Sequence, residues 1–399
     1  MGRYGRILIL AALALVAGVD VWPRLWAESG VHKHYLHQAQ AFLRGRLDID
    51  EAFGDVATYR GKHYVVFPPL PAVLITPLVA VFGEQTRTTV VSLALTALNV
   101  FVLRGILRRL EMEGELRRWL LAAFFLGTAY TTSHFQAYET WHFAHIVATS
   151  CLLLAIYEAL GRGRAVLVGL CCGLAYLSRQ LCIYSVVFLA VALWLKHKDK
   201  AGWAKLGQGV AFALPLGVCI GAYLLLNWLR FDDPFDAGYG YLPLTGPLAA
   251  RVAKYGLFHP AYVPFNLTYL FLQGFHIDFT SPTLLDVKET DPWGTSLTFG
   301  SPFVFFALLA RWQRPLVWAA WASILLPLLH GAFYFVNGFA QTNAQRYALD
   351  FLPILMLLAA LGARRAGSVW WKAAIGYSIA LNFVALFVVA WLKRLTAGL

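Results

Sequence analysis

Thr140 to Arg164 reads TWHFAHIVATSCLLLAIYEALGRGR. Its first part, 140–160, is an apolar run of the length that crosses a bilayer, about 20 residues. Arg162 and Arg164 close it with a compact basic turn. The same unit recurs along the chain. Apolar runs stand at 7–22, 67–83, 88–104, 118–133, 140–160, 165–180, 181–195, 206–229, 296–310, 315–335, 346–362 and 369–391. Composition agrees: of 399 residues, 59% are hydrophobic and 14% charged, against about 45–50% apolar and about 25% charged in soluble domains. A soluble enzyme, a disordered chain and a secreted disulfide scaffold are thereby excluded. The expected fold class is an all-α polytopic membrane protein, one integral domain over 1–399, with about 11–13 transmembrane helices.

The net charge of +12 is topological rather than a nucleic-acid signal. Arg and Lys gather at Arg3/Arg6, Arg104/Arg108/Arg109/Arg117/Arg118, Arg162/Arg164, Lys196/Lys198/Lys200/Lys205, Arg311/Arg314 and Arg364/Arg365. Cytoplasmic loops retain such charges, so these clusters mark the inner side. Loops 24–66, 134–139, 230–295 and 336–345 are left for the outside. One conflict arises at 67–83. If that run and 88–104 both crossed, the basic stretch 104–118 would lie outside. Pro68, Pro69, Pro71 and Pro77 mark 67–83 as a short or re-entrant element packed against protein, and the charge rule is kept. The first run, 7–22, lacks a small-residue cleavage site and reads as a retained helix. The five cysteines, Cys151, Cys171, Cys172, Cys182 and Cys219, lie in apolar stretches and read as small core residues.

Two outer loops are large. In the first, 24–66, the stretch Tyr35 to Leu47 (YLHQAQAFLRGRL) has helical apolar spacing and reads as an amphipathic helix on the membrane surface. Gly54 to Val66 (GDVATYRGKHYVV) reads as a hairpin turning at Arg60-Gly61. The second, 230–295, contains Asn266-Leu267-Thr268, a glycosylation sequon by pattern alone.

The acids placed near the outer surface are Asp20, Glu28, Asp48, Asp50, Glu51, Asp55, Glu139 and Asp350. Asp20 and Asp350 fall inside predicted helices, where a carboxylate is costly and therefore functional or internally paired. For Asp350 the expected partner is Arg346, one turn away. Asp48, Asp50 and Glu51 read as a solvated turn, whereas Asp55 opens the hairpin shortly before the chain re-enters the membrane at Pro68-Pro69. Among the cations, Lys62, His63, Arg179 and Arg346 sit where they suit a lipid phosphate or snorkel to headgroups. Glu139, His142 and His145 form a loose metal corner. A divalent metal stays an open alternative there, and no cofactor is called for.

These residues resemble a known group. Tyr-Leu-x-x-Ala-x-x-Phe-Leu-x-Gly-Arg (35–46), Asp55-x-Ala-x-Tyr-x-Gly-Lys-x-Tyr and Phe67-Pro-Pro-Leu-Pro follow one another in the first loop. Gly127-Thr-Ala-Tyr, Trp141-His-Phe-Ala-His, Leu177-Ser-Arg, Asn227-Trp-Leu-Arg-Phe-Asp-Asp-Pro-Phe-Asp-Ala-Gly-Tyr and Gln345-Arg-Tyr-Ala-Leu-Asp-Phe-Leu-Pro come later. The chain is similar to bacterial members of the GT-C glycosyltransferase superfamily, such as protein O-mannosyltransferases and the aminoarabinose transferase of lipid A. The resemblance implies a polyprenyl-phosphate sugar donor used on the outer face of the inner membrane, with a first-loop carboxylate as base. The acceptor is lipid, glycan or protein. One departure matters: many members carry Asp-Glu before the loop tyrosine, where this chain has Val31-His32-Lys33-His34. The base is therefore expected at Asp55, with Glu28, Asp20 and Glu139 as alternatives. Lys62, His63, Arg179 and Arg346 are expected at the lipid phosphate, and Tyr35, Tyr64, Trp141, His145 and Gln341 at the substrate. Competing readings are a transporter or flippase, for which no paired halves are visible, and an O-antigen-type polymerase or ligase, which the 230–295 loop keeps open.

Overall fold

A computed structural model describes residues 33–199, 201–339 and 341–397. The 7–22 run, Asp20 and Glu28 lie outside the described residues. The chain is an all-α integral membrane protein, with two small hairpins among the described residues. Its helices are α1 (His34–Leu43), α2 (Leu70–Phe82), α3 (Thr88–Arg109), α4 (Gly114–Leu126), α5 (Ala129–Phe135), α6 (Thr140–Leu160), α7 (Ala165–Tyr176), α8 (Val186–Lys196) and α9 (Gly202–Phe231). There follow α10 (Gly246–Tyr255), α11 (Val263–Leu267), α12 (Leu297–Gly300), α13 (Arg314–Ala332), α14 (Leu352–Ala363), α15 (Ser368–Phe383) and α16 (Val389–Thr396). Helices α3, α6, α9, α13 and the run Ser368–Thr396 are long and apolar enough to span a bilayer by themselves. The hairpins are β1 (Val56–Tyr59) with β2 (Lys62–Val65), and β3 (Ile277–Thr280) with β4 (Asp286–Thr290).

Each apolar run from 67 onward falls on helix, and local sequence explains the breaks. The 118–133 run is interrupted at Gly127-Thr128, where Thr128 caps α5 by accepting from the Tyr130 N–H. The 296–310 run is mostly a 3-10 helix, Pro302–Leu309. It lies against α14 so closely that a Cβ on Gly362 would collide with the Phe306 carbonyl. Gly169 of α7 meets the Phe212 carbonyl of α9 in the same way. Small residues at such crossings are how membrane helices approach one another.

The basic turns converge on one end of the bundle. Arg364 donates to the Leu110 carbonyl at 3.2 Å, Arg109 to the Tyr157 carbonyl, and His197 bonds the Gly163 carbonyl at 2.9 Å. The opposite end holds the large loops and a cavity. Both ends of α2 belong to that cavity end: the Leu70 N–H donates to the Leu177 carbonyl at 2.9 Å, and just beyond its far end Thr88 donates to the Ala137 carbonyl at 2.7 Å. The element thus enters and leaves on one side, α3 makes the crossing, and 104–118 joins the other basic turns.

Helix α1 is packed into the protein along one side. Its His34, Tyr35, Leu36, Gln38, Ala39 and Ala41 are all buried, because α2 covers it and Phe67 and Phe143 meet the Tyr35 ring edge-on. The sequon also changes meaning. Asn266 is fully buried, and its amide donates to the carbonyls of Gly331, Ala332 and Tyr334 at 2.8–3.1 Å. It caps the end of α13 from within and presents nothing to a glycosylating enzyme.

Candidate active site

The cavity encloses about 810 Å³. Its walls come from segments far apart in sequence: Gly54-Asp55 at the mouth of the first hairpin, Gln136 to Trp141 where α5 turns into α6, Arg179 to Leu181 after α7, 242–248 of the second large loop, 330–336 after α13, and Arg346-Tyr347. Asp55 has φ +60°, a left-handed conformation that Asp adopts more readily than most side chains. It precedes β1 directly, so the hairpin register fixes where its carboxylate starts. Glu139 precedes the first residue of α6, and Trp141 stands in that helix's first turn.

The cations divide their work. The Arg179 guanidinium grips Asp350 through Nε and Nη2, each at 3.1 Å, and its plane lies over Tyr347 at 4.9 Å. The Nδ1 of His145 is 3.3 Å from the same carboxylate. The expected Arg346–Asp350 pair is not formed. Residues 346–350 are a 3-10 helix, in which i and i+3 align and i+4 is swung away. Arg346 is nevertheless buried. Its backbone N–H donates to Gln341 Oε1 at 2.5 Å and its Nη2 to the Phe339 carbonyl at 3.0 Å. Its Nε and Nη1 have no partner among the described residues. Tyr347 and Trp141 lie 5.1 and 5.9 Å from the guanidinium.

The cavity therefore gathers Asp55, Glu139, Trp141, Arg179 and Arg346 of the expected residues. Gln341 stands behind them, donating to the Trp293 carbonyl at 3.0 Å, and His145 is buried beneath with Asp350. Tyr35 is enclosed, its hydroxyl without a partner among the described residues. Tyr64 packs on Phe231 at 5.5 Å and serves the hairpin. Lys62 and His63 are not in the cavity wall. Lys62 is exposed and pairs with Tyr59 next to the turn, the hairpin end away from Asp55, and His63 bonds Thr58 at 3.1 Å. The metal corner is not assembled either: His142 bonds Ser133 at 3.2 Å while His145 faces Asp350. No group of three His, Cys, Asp or Glu fit for a metal occurs among the described residues. The Asp48/Asp50 turn is an exposed ion-pair network. Hydrogen bonds from Arg46 to both carboxylates, joined at Asp50 by Arg44, hold them below the usual carboxylate range.

Comparison with solved structures gives a match of TM-score 0.53 to ArnT from Cupriavidus metallidurans bound to undecaprenyl phosphate. It covers 99% of this chain and 70% of that one at 14% identity. The chain shares the fold of that ArnT structure. The apo-state ArnT structure aligns at TM-score 0.48 and 16% identity, over 93% of this chain and 62% of that one. No family model matches the sequence, and no curated protein does.

Within the ArnT fold, the cavity also uses residues that the sequence did not single out. Tyr239, Trp293, Tyr334 and Tyr347 give it aromatic walls. They come from segments far apart in sequence, so only the tertiary fold brings them together. His34 is another. The sequence marks it as a departure from the resembling family, and the structure places it fully buried behind Asp55.

Proposed function

We propose that the protein is a membrane glycosyltransferase that moves a sugar from a polyprenyl-phosphate donor to an acceptor hydroxyl at the cavity end of the bundle, with inversion. The observation that carries this reading is one cavity walled by a carboxylate at a hairpin mouth and by a buried arginine with unpartnered N–H groups. Its supports are the shared fold with ArnT, a protein captured with undecaprenyl phosphate, and the placement of the cavity opposite the basic turns. By the charge rule the cavity end then faces outward.

In the reaction, the Asp55 carboxylate takes the proton of the acceptor hydroxyl as that oxygen attacks the anomeric carbon. The bond from this carbon to the phosphate oxygen breaks, and the electron pair leaves with the polyprenyl phosphate. Charge grows on the leaving phosphate, where fixed N–H donors are most effective in a dry site. Arg346 supplies donors through Nε and Nη1. Arg179, already oriented by Asp350, adds its positive field. Aromatic rings at Trp141, Tyr239 and Tyr347 offer flat faces to the sugar. Attack opposite the phosphate inverts the anomeric configuration.

The test uses purified protein in nanodiscs with a panel of synthetic polyprenyl-phosphate sugars and an acceptor extract, and reads release of polyprenyl phosphate. Wild type releases it, and Asp55→Asn slows release by about 10²–10⁴-fold, the usual share of a general base. Release that survives the substitution moves the base to Glu139, Glu28 or Asp20. No release from any donor favours a carrier or polymerase of lipid-linked glycans.

A further inference from the structure

His34 takes no part in the chemistry above, yet its placement is unusually constrained. The side chain is fully buried at the start of α1. Its ring is wedged among Phe53, Phe67 and Trp141, with centroids 4.7, 5.2 and 6.3 Å away. Nε2 lies 2.7 Å from the Gly54 carbonyl. A carbonyl only accepts, so Nε2 carries the hydrogen. In the neutral ring Nδ1 then accepts from the Thr140 hydroxyl, 3.2 Å away. These two partners are the chain neighbours of the two cavity carboxylates, Asp55 and Glu139. One imidazole thus ties the hairpin mouth to the start of α6.

We propose that His34 is the positioning residue for Asp55. The proposal rests on the reading of Asp55 as the base. The Gly54-Asp55 peptide sits in a turn with Asp55 at φ +60°, and a peptide plane next to a glycine rotates more freely than one between two substituted residues. Holding the Gly54 carbonyl fixes that plane and with it the direction of the Asp55 side chain. The Thr140 bond sets the other end of the imidazole against α6, so the hairpin mouth is referenced to the helix that carries Trp141. His34 itself is absent from the cavity wall and acts only through its neighbours. Tight orientation of a reacting group matters because an error of about 1 Å can cost on the order of 100-fold in rate.

The experiment compares wild type, His34→Ala, His34→Gln, Asp55→Asn and the His34→Ala/Asp55→Asn double variant in the release assay. His34→Ala is expected to lower kcat by about 10–100-fold while the donor KM stays within about threefold, because the donor-binding cations are untouched. His34→Gln recovers part of the loss, since its amide can donate to Gly54. Added imidazole restores His34→Ala by occupying the space left by the ring. The double variant is no slower than Asp55→Asn alone, as expected when one residue works through the other. Full kcat in His34→Ala, an equal loss in KM, or multiplying losses in the double variant would overturn the proposal. Asp55→Asn at the wild-type rate overturns the base and the role of His34 with it. If His34→Ala does not fold, Thr140→Val carries the test: it removes one of the two bonds, keeps the ring, and is expected to lower kcat at constant KM.

Discussion

A guanidinium enclosed with two N–H positions unpartnered is costly to fold around, and Arg346 is held in that state by Gln341, Phe339 and two aromatic rings. Such a group contributes more to binding an anion than to stability. Arg346→Met is therefore expected to weaken polyprenyl-phosphate binding by roughly 10–100-fold, the equivalent of about 1.5–3 kcal/mol for charge-assisted hydrogen bonds. Thermal unfolding should stay near wild type. Equilibrium binding of polyprenyl phosphate in nanodiscs checks both halves against a melting curve. Asp350 is the opposite case. It balances Arg179 inside the protein, so Asp350→Asn strands a buried guanidinium and should destabilise by about 3–5 kcal/mol. The double variant Asp350→Asn/Arg179→Met should unfold at a higher temperature than Asp350→Asn alone. A melting series that instead showed Arg346→Met and Asp350→Asn equally destabilised would restore the helical pairing expected from spacing. The candidate residues were legible because a charge in an apolar run is conspicuous. Their division of labour was not, since the 3-10 geometry of 346–350 leaves no mark on the spacing of charged residues.

At the scale of elements, apolar length and basic turns mark every helical run from 67 onward, because lipid imposes the same requirement on each one. What they cannot mark is how closely two runs approach. Gly169 against Phe212 and Gly362 against Phe306 are contacts of backbone on backbone, and a glycine in an apolar run looks like any other small residue. Gly169→Ala and Gly362→Ala are each expected to cost about 1–3 kcal/mol by overpacking, seen as a lower unfolding temperature. Gly217→Ala, which faces open space on α9, should leave it unchanged or raise it slightly, because alanine suits a helix better. Equal effects at all three positions would mean that α7 and α9, and α14 and its 3-10 neighbour, are not packed this closely. The burial of α1 was illegible for a related reason. Helical periodicity shows which side is apolar, but only the folded chain shows that His34 and Gln38 are buried with it.

For the whole molecule, the decisive question is which side each loop occupies, since the proposed chemistry needs the cavity and the basic turns on opposite sides. The bonds that draw 109–110, 157, 163, 197 and 364 together make the basic end a physical surface, and the ties at Leu70 and Thr88 keep α2 at the cavity end. Single cysteines at exposed positions read this directly with a membrane-impermeant maleimide on oriented vesicles. Glu51→Cys, Glu84→Cys and Asp233→Cys should label from one side, and Glu113→Cys and Lys198→Cys only from the other or after permeabilisation. The native thiols all lie in the helical bundle, most of them buried, and set the background. Glu84 is the informative position, because it follows α2 directly. Were α2 a full crossing, Glu84→Cys would label with Glu113→Cys, and the parity of every later loop would have to be counted again. Labelling with Glu51→Cys instead means that α2 returns to its starting side. A proline-rich helix tied at both ends to the cavity side is then what allows the charge rule and the cavity to agree.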